Sequence, residues 1–213
     1  MDFEAARARL IKHLGADIKD RRVLAAMARV PRERFVPPES RHLAYEDRPL
    51  PIGFEQTISQ PFIIALMTEA LELTCNERVL EVGTGSGYQA AILAELARLV
   101  ITVERMPALA ETAKRLLGEL GYTNIEEHLA DETIGWQKGA PYDAIMVTAA
   151  VPSVPADLLA QLNIDGRMII PVGSRYIQEL CKVTRRKNKN IVQNLGGCRF
   201  VSLIGKGAWV EED

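Results

Sequence analysis

RVLEVGTGSGYQAA, residues 78–91, is the stretch that decides the fold of this chain. Its apolar, partly β-branched beginning contains the acidic Glu81 and passes through three alternating glycines into an alanine-rich segment. This order predicts a strand, a tight turn and the first turn of a helix, which together begin a βαβ unit. Glycines allow positive φ and let a ligand approach the backbone closely, with the N–H groups of the helix facing it.

The spacing of the glycines indicates which ligand this turn holds. A dinucleotide fingerprint, G-x-G-x-x-G, needs its third glycine where this chain has Tyr88, but that glycine comes one residue early, at Gly87. Glu81, at the end of the strand, would repel a pyrophosphate, yet it suits a ligand that carries an ammonium and a sulfonium. The pattern E-x-G-x-G-x-G therefore points to S-adenosylmethionine rather than to a nicotinamide dinucleotide. A tight turn that binds no ligand is the alternative.

Length and composition predict one soluble globular domain over residues 1–213. The chain is 47% hydrophobic and 25% charged, with a net charge of −2. So small a net charge gives no electrostatic reason to expect nucleic acid or an anionic membrane as a partner. No apolar stretch approaches the roughly 20 residues of a transmembrane helix, and the N-terminus lacks the pattern of a signal peptide. We therefore expect a cytoplasmic protein, and separately we expect a monomer.

Cysteine and histidine give no sign of a disulfide framework or a metal site. The three cysteines, Cys75, Cys181 and Cys198, are odd in number and far apart, which is typical of reduced thiols in a cytosolic protein. The three histidines show no metal-ligand spacing with one another or with the cysteines, so we expect no metal.

The first 75 residues differ in character from the rest of the chain. Helical periodicity runs through residues 2–14, 21–30 and 61–73. Residues 31–61 between them contain six prolines and no simple period, which predicts a long ordered loop with one helical turn near residues 41–45. Loops of this length in a compact domain are usually functional; the alternative is a segment that only wraps one end of the sheet. We expect residues 1–75 to cover substrate and cofactor, and residues 76–213 to form the cofactor-binding core.

The core alternates strands with helices, which predicts an α/β fold. Strands are predicted at residues 78–82, 99–104, 124–128, 142–148 and 167–172, and helices at 86–98, 107–120 and 152–162. Residues 179–184 and 199–204 are predicted to form an antiparallel hairpin, joined through the basic turn 185–190. We take that basic turn as a solvated loop. The expected architecture is a doubly wound, mostly parallel, Rossmann-like sheet of about seven strands, with helices on both faces and an antiparallel C-terminal strand.

In open α/β sheets the ligand lies outside the carboxyl ends of the strands, and this rule selects the candidate site. Glu104 ends the second core strand 21 positions after Gly83, where an acidic residue can accept hydrogen bonds from both ribose hydroxyls. Asp131, after the third strand, is placed to accept a hydrogen bond from the adenine amino group. The alternatives are that Glu104 caps the next helix and that Asp131 forms a turn.

Several segments together resemble one family, the protein-L-isoaspartate O-methyltransferases. These segments are LPIGFEQTISQP at 50–61, VLEVGTGSGYQAA at 79–91, YDAIMVTAA at 142–150 and IPVG at 170–173, with FVP at 35–37 and AYED at 44–47. Enzymes of this family methylate the free α-carboxylate of an isoaspartyl residue, a damage product of Asn and Asp. The ester then closes spontaneously to a succinimide, whose hydrolysis returns some normal aspartate.

The resemblance implies S-adenosylmethionine as the cofactor, isoaspartyl-containing proteins and peptides as partners, and Ser59 as the catalytic position. This chain departs from the family's pattern at two positions: it has Glu132 where the family usually has glycine, and Ser202 where the family has proline. The residues that we expect to bind the cofactor are Gln56, Thr57, Ile58, Glu81, Gly83, Thr84, Gly85, Gly87, Glu104, Arg105, Asp131 and Glu132.

Elementary chemistry is compatible with that reaction. An α-carboxylate has a pKa of about 3.5, so near neutrality it is already an anionic nucleophile and needs no strong base. A hydroxyl that binds one carboxylate oxygen while the other attacks would help, and Ser59 can supply it. The alternative role for Ser59 is the N-cap of the helix that begins at Pro61.

Two other functions stay open from the sequence alone. One is a methyltransferase of the same fold that acts on another carboxylate or on a small molecule. The other is a non-enzymatic binding protein whose cofactor site is weakened by Glu132.

Overall fold

The computed structural model describes residues 2–131 and 133–210, which form one α/β arrangement of helices around a twisted sheet. Its α-helices are Phe3–Leu14 (α1), Arg21–Arg29 (α2), Pro61–Ala70 (α3), Tyr88–Ala94 (α4), Pro107–Glu119 (α5) and Ala156–Gln161 (α6). Its strands are Leu50–Gly53 (β1), Gln56–Ile58 (β2), Arg78–Val82 (β3), Leu99–Glu104 (β4), Ile125–Leu129 (β5), Tyr142–Val147 (β6), Leu162–Gly173 (β7), Gln178–Thr184 (β8) and Ile191–Cys198 (β9). Short 3₁₀ helices lie at Arg32–Phe35, Pro38–Leu43 and Gln137–Gly139.

The main sheet has seven strands in the order β5-β4-β3-β6-β7-β8-β9. The five strands from β5 to β7 run parallel, whereas β8 is antiparallel to β7 and β9 is antiparallel to β8. Strand order reverses at β3, because the chain moves outward through β4 and β5 and then returns to β6 on the other side of β3. The predicted doubly wound fold is confirmed, and the reversal places a ligand crevice at the carboxyl end of β3.

Both faces of the sheet are buried, which explains the near-continuous apolar runs of its central strands. Successive side chains point to opposite faces, so Val79 of β3 packs into a cluster formed largely with helices α1 to α4. Its neighbour Leu80 packs into a second cluster that includes Leu158 of α6. Within the part of the chain that the structure describes, no helix is long and apolar enough to cross a membrane.

The proline-rich segment contains more structure than the sequence predicts. The 3₁₀ helix Arg32–Phe35 and the β1–β2 hairpin occupy residues that we expected to be a loop, and the helical turn expected near residues 41–45 is a 3₁₀ helix that begins earlier, Pro38–Leu43. The hairpin escapes notice because its strands have only four and three residues and its turn has three consecutive residues at positive φ, Gly53, Phe54 and Glu55. Leu50 and Ile58, which face each other across the hairpin, are buried in the core and anchor it to the domain.

The C-terminal hairpin was predicted with the wrong second strand. The partner of β8 is β9, which follows the basic turn directly, whereas residues 199–204 form a separate extended segment. That segment pairs in parallel with Ala150, beyond the carboxyl end of β6: the Ala150 N–H donates to the Val201 carbonyl at 2.7 Å and the Leu203 N–H donates to the Ala150 carbonyl at 2.8 Å. Strand β9 is an exposed edge strand with two glycines, so it has no apolar pattern to reveal it.

Three helices are shorter than predicted by more than one residue, and one of them is α3, which ends at Ala70 rather than at residue 73. Helix α4 ends at Ala94 rather than at residue 98, because the chain must turn before Leu99, whose N–H bonds to the Glu77 carbonyl. Helix α6 begins at Ala156 rather than at residue 152, because Pro155 disfavours a helical conformation in the residue before it.

Candidate active site

The glycine turn after β3 is held by a hydroxyl from the neighbouring strand. Gly83 has φ +101°, and a Cβ at this position would lie 2.3 Å from Thr148 Oγ1. The Thr148 hydroxyl lies 2.6 Å from the Gly83 carbonyl and 3.0 Å from the Val82 carbonyl, the acceptors to which it donates. Only glycine leaves room for this contact, so the turn is packed against the end of β6 before any ligand is considered.

Gly87 has a different role from the other two glycines. It is the N-cap of α4 at φ +87°, and a Cβ here would lie 3.2 Å from Ala113 Cβ and 3.4 Å from Leu117. The residue therefore allows α4 to pack closely against α5, and it does not line the cavity described below.

Glu104 connects the glycine turn with the turn that follows β4. Its Oε2 accepts a hydrogen bond from the Gly85 N–H at 2.8 Å, and its Oε1 accepts one from the Met106 N–H at 3.0 Å. Each carboxylate oxygen has two lone pairs, so both oxygens can still accept a hydroxyl from a ligand. The carboxylate lines the cavity at the position expected for ribose recognition. It bonds to the N–H of Met106, the N-cap residue of α5, but no side chain among the described residues caps that helix, so the capping alternative for Glu104 is wrong.

Glu81 lies behind the turn rather than in the cavity. Its side chain is fully buried, and it accepts a hydrogen bond from the Thr102 hydroxyl at 2.6 Å. Because the Thr102 hydroxyl donates its only hydrogen to Glu81, it accepts the hydrogen bond from the Thr84 hydroxyl, also at 2.6 Å. Glu81 Oε1 has no hydrogen-bond partner among the described residues. Burial, reinforced by the nearby charge of Glu104, raises the pKa of Glu81 to about 8.

The carboxyl edge of the sheet encloses a cavity of about 410 Å³. The glycine turn forms one wall, strand β2 forms another, and the segment from Phe200 to Ala208 closes a third side. Ten of the predicted site residues line it: Gln56, Thr57, Ile58, Ser59, Gly83, Thr84, Gly85, Glu104, Arg105 and Asp131. Of the other three, Glu81 and Gly87 lie outside the lining, and Glu132 is outside the described residues.

Ser59 is not the cap of the helix that follows it. The N-cap of α3 is Gln60, and no side chain of that residue caps the helix. Asp47, from the proline-rich segment, performs the capping instead: its Oδ1 accepts from the Phe62 N–H at 2.8 Å and its Oδ2 from the Gln60 side chain at 2.9 Å. The structural alternative for Ser59 is therefore wrong, and its hydroxyl is not used in the helix start.

Asp131 forms the local turn that we considered as its alternative role. Its Oδ1 accepts both the Thr133 N–H at 2.8 Å and the Thr133 hydroxyl at 2.5 Å. These hydrogen bonds hold the pKa of Asp131 below its usual value. Asp131 also lines the cavity, so the residue that forms this turn is part of the cavity wall.

Sequence reasoning missed the residues that lack polar chemistry or a motif. Met106 follows Glu104-Arg105, and Ile134 and Gly135 follow the turn at Asp131; their position after the strand ends is the signal that could have found them. Residues 199–204 were predicted to form a strand, so the place of Phe200 to Lys206 in the cavity wall was not predicted. No group of three or more His, Cys, Asp or Glu in residues 2–131 and 133–210 is arranged to hold a metal ion.

The residues present fit S-adenosylmethionine. Gly83 and Gly85 allow a ligand to approach the backbone, and Glu104 can receive ribose hydroxyls. A cation bound near the turn would favour the ionised form of Glu81, whose Oε1 has no hydrogen-bond partner among the described residues, whereas a phosphate would oppose it. Together with the reversal of strand order at β3, this site defines a class I methyltransferase that uses S-adenosylmethionine.

Comparison with known proteins narrows the class. The family model for protein-L-isoaspartate(D-aspartate) O-methyltransferase matches residues 5–208. A protein-L-isoaspartate O-methyltransferase of Geobacter metallireducens is 50% identical over 100% of both chains, and one of Syntrophus aciditrophicus is 54% identical over 88% of each. The chain belongs to the protein-L-isoaspartate O-methyltransferase family.

Solved structures agree with the sequence relatives. A protein-L-isoaspartate O-methyltransferase superposes with a TM-score of 0.84 at 31% identity, over 95% of this chain and 67% of the other. A Plasmodium falciparum structure, described as a protein of this kind in complex with S-adenosyl-L-homocysteine, superposes with a TM-score of 0.78 at 27% identity. That match covers 94% of this chain and 97% of the other.

Proposed function

We propose that this protein is a repair enzyme that transfers a methyl group from S-adenosylmethionine to the free α-carboxylate of L-isoaspartyl residues in damaged proteins and peptides. Membership of the family supports the reaction. The observation that carries the residue assignment is the position of Ser59, which lines the same cavity as Glu104 and the glycine turn. Donor and acceptor groups can therefore meet in one enclosed space.

The cofactor-binding roles follow from the chemistry of each wall. Glu104 receives the ribose hydroxyls and Asp131 the adenine amino group, while Gly83 and Gly85 admit the ligand to the backbone. Glu81 and Gly87 act from behind the turn: the Glu81 carboxyl ionises more readily when a cation is bound nearby, and Gly87 lets α4 pack against α5. The remaining proposed cofactor contacts are Gln56, Thr57, Ile58, Thr84, Arg105 and Glu132.

Ser59 orients the acceptor carboxylate. When bound, S-adenosylmethionine supplies an electrophilic methyl group on a sulfonium. The acceptor carboxylate is anionic near neutrality, so the protein needs to position it rather than to deprotonate it. The Ser59 hydroxyl donates a hydrogen bond to one carboxylate oxygen, which leaves the other oxygen free to attack. Since Asp47 caps α3, this hydroxyl is not needed for the helix.

A paired peptide assay tests the reaction. Labelled S-adenosylmethionine is offered with two peptides that differ only in an isoaspartyl or a normal aspartyl linkage, and we expect methylation of the isoaspartyl peptide alone. Equal methylation of both peptides would indicate a methyltransferase with another acceptor. Methylation of neither, with no calorimetric binding of S-adenosylhomocysteine, would indicate a binding protein with an impaired cofactor site.

Ser59→Ala tests the residue assignment. We expect turnover to fall about 10- to 100-fold, since one charge-assisted hydrogen bond to the acceptor is lost, with little change in cofactor affinity. Ser40→Ala is the matched control, because Ser40 is buried in the same proline-rich segment but does not line the cavity. A Ser59→Ala enzyme as fast as Ser40→Ala would remove Ser59 from the mechanism.

The proposal also covers the domain organisation, the oligomeric state and the cellular compartment of the protein. Residues 1–213 act as one domain in the cytoplasm as a monomer, with residues 1–75 covering substrate and cofactor and residues 76–213 forming the core. Light scattering coupled to size exclusion tests the monomer, for which the expected mass is 23.6 kDa.

A further inference from the structure

Arg32 is a buried cation in the first 3₁₀ helix, away from the cavity wall. Its side chain is fully buried, and no carboxylate in residues 2–131 and 133–210 forms an ion pair with it, although the charge of Asp47 favours the guanidinium from further away. Its Nη1 is buried without a hydrogen-bond partner among these residues, and burial lowers the pKa of the guanidinium. A buried charge and an unpaired donor both oppose folding. Stability alone therefore gives a poor reason for an arginine here.

Arg32 contacts Ala44, Ser59 and Tyr88, and of these Ser59 lines the cavity. Its Nε donates to the Ala44 carbonyl at 2.8 Å, and its Nη2 donates to the Ser59 carbonyl at 2.8 Å. The guanidinium also lies over the ring of Tyr88, 5.0 Å from its centroid. Tyr88 is the first residue of α4 and follows the glycine turn directly. One planar group thus connects the proline-rich segment, the serine and the turn.

We propose that Arg32 is a positioning residue for methyl transfer, because its guanidinium holds the peptide of Ser59 at a set place relative to the glycine turn. This inference rests on the proposed function of Ser59. The bond goes to the carbonyl of Ser59, so it restrains the backbone that carries the hydroxyl and leaves the hydroxyl itself for the acceptor. A rigid planar donor that binds two carbonyls is a role that lysine cannot reproduce.

Positioning matters in this reaction because the protein does not need to deprotonate the acceptor carboxylate. The acceptor is already ionised, so the rate depends on how well the carboxylate and the methyl group are aligned. A displacement of about 1 Å at a positioning group can lower the rate about 100-fold. The cofactor site, by contrast, depends on Glu104 and the glycine turn, to which Arg32 donates no hydrogen bond.

The test is a double-mutant cycle between Arg32→Met and Ser59→Ala, measured with the isoaspartyl peptide. We expect Arg32→Met to lower kcat about 10- to 100-fold, with the dissociation constant of S-adenosylhomocysteine changed by less than about threefold. In the Ser59→Ala background the same change should have little further effect, because there is no longer a hydroxyl to position. Losses that multiply independently would overturn the inference, since they would show that Arg32 acts without Ser59.

Two further variants keep the experiment interpretable. Arg7→Met is the control for removal of a partly buried arginine from the N-terminal region; Arg7 contacts Tyr45 and Glu33 but not Ser59. If Arg32→Met does not fold, Arg32→Lys keeps the cation, and it should fold and bind S-adenosylhomocysteine while kcat still falls. An unchanged kcat in a folded Arg32 variant overturns the inference. Full activity of Ser59→Ala alone overturns the proposed role of Ser59 instead, so the two failures are distinct.

Discussion

The buried carboxyl of Glu81 should make the stability of this protein fall as pH rises. Burial raises its pKa from 4.5 to about 8 in the folded chain. The unfolded chain releases this proton near pH 4.5, whereas the folded chain keeps it to about pH 8. Between these values the folded state binds one more proton than the unfolded state, so the free energy of unfolding decreases with pH. Below pH 4.5 Glu81 contributes nothing, and above pH 8 the loss is complete.

The magnitude follows from the size of the shift. Each pKa unit corresponds to about 1.4 kcal/mol, so at high pH, where Glu81 is ionised in both states, the shift lowers the free energy of unfolding by about 5 kcal/mol. About 4 kcal/mol of this decrease falls between roughly pH 5 and pH 8.5. For a domain of this length, that difference corresponds to a melting temperature lower by roughly 8–16 °C.

Glu81→Gln removes this pH dependence and leaves the shape of the side chain. The amide can still accept from the Thr102 hydroxyl, so the packing is retained. The assay compares urea unfolding of both proteins at several values of pH, and the quantity that matters is the difference between their two curves. We expect that difference to move in favour of the variant by about 4 kcal/mol as pH rises. Glu119→Gln, which removes a charge from an exposed ion pair with Arg34, controls for net charge.

Parallel curves for wild type and Glu81→Gln would refute the reasoning, because they would show that Glu81 titrates alike in the folded and unfolded chains. A bound cation near the turn favours the ionised carboxylate. Saturating S-adenosylmethionine should therefore reduce the excess slope of the wild type and leave the variant's slope unchanged.

Three more changes test the geometry of the site. Gly83→Ala should lower the free energy of unfolding by roughly 2–3 kcal/mol, because an alanine here is strained in the left-handed region and displaces the Thr148 hydroxyl. Gly85→Ala should lower it by only about 1 kcal/mol, because its Cβ would meet nothing closer than 3.6 Å, and equal losses of the two variants in urea unfolding would contradict this account. Asp47→Ala should lower stability by about 1 kcal/mol through the lost cap of α3 and should also reduce kcat, and a variant with unchanged thermal unfolding would show that the cap is redundant. Glu104→Gln should weaken S-adenosylhomocysteine binding about 10- to 100-fold by calorimetry, because its NH₂ group must face a backbone N–H, and undiminished affinity would argue against ribose recognition by this residue.

The central fold could be predicted because its strands are buried on both faces. Strands β3 and β4 were predicted at their observed bounds, since each is an apolar run with little ambiguity of register. Strand β9 could not be found in this way, because almost all of its residues are exposed. The apolar residues of 201–204 instead suggested a strand of the C-terminal hairpin, although Ser202 forms an isolated parallel bridge with Ala150, beyond the end of β6.

The candidate site was predictable at positions where only one residue type has the necessary chemistry or is small enough to fit. Glu104 was expected from its distance to Gly83, and the structure adds that it also holds the turn through the Gly85 N–H. Asp47 and Arg32 could not be assigned from spacing, since they act on residues 15 and 27 positions away through contacts that only the folded chain creates. Residues that support a site from a distance leave no local pattern.

Tyr88 shows why the glycine turn and the proline-rich segment cannot be considered separately. It stands where a dinucleotide fingerprint has its third glycine, and the chain moves that glycine one position earlier, to Gly87. A glycine at position 88 would leave no ring to pack against Arg32 and Phe35, whose own ring lies 5.3 Å from that of Tyr88. Gly87 allows α4 to pack close to α5, while the ring of Tyr88 packs against the buried guanidinium of Arg32. The residue that argues against a dinucleotide is thus the same residue through which the turn for the methyl donor is joined to the segment that carries Ser59.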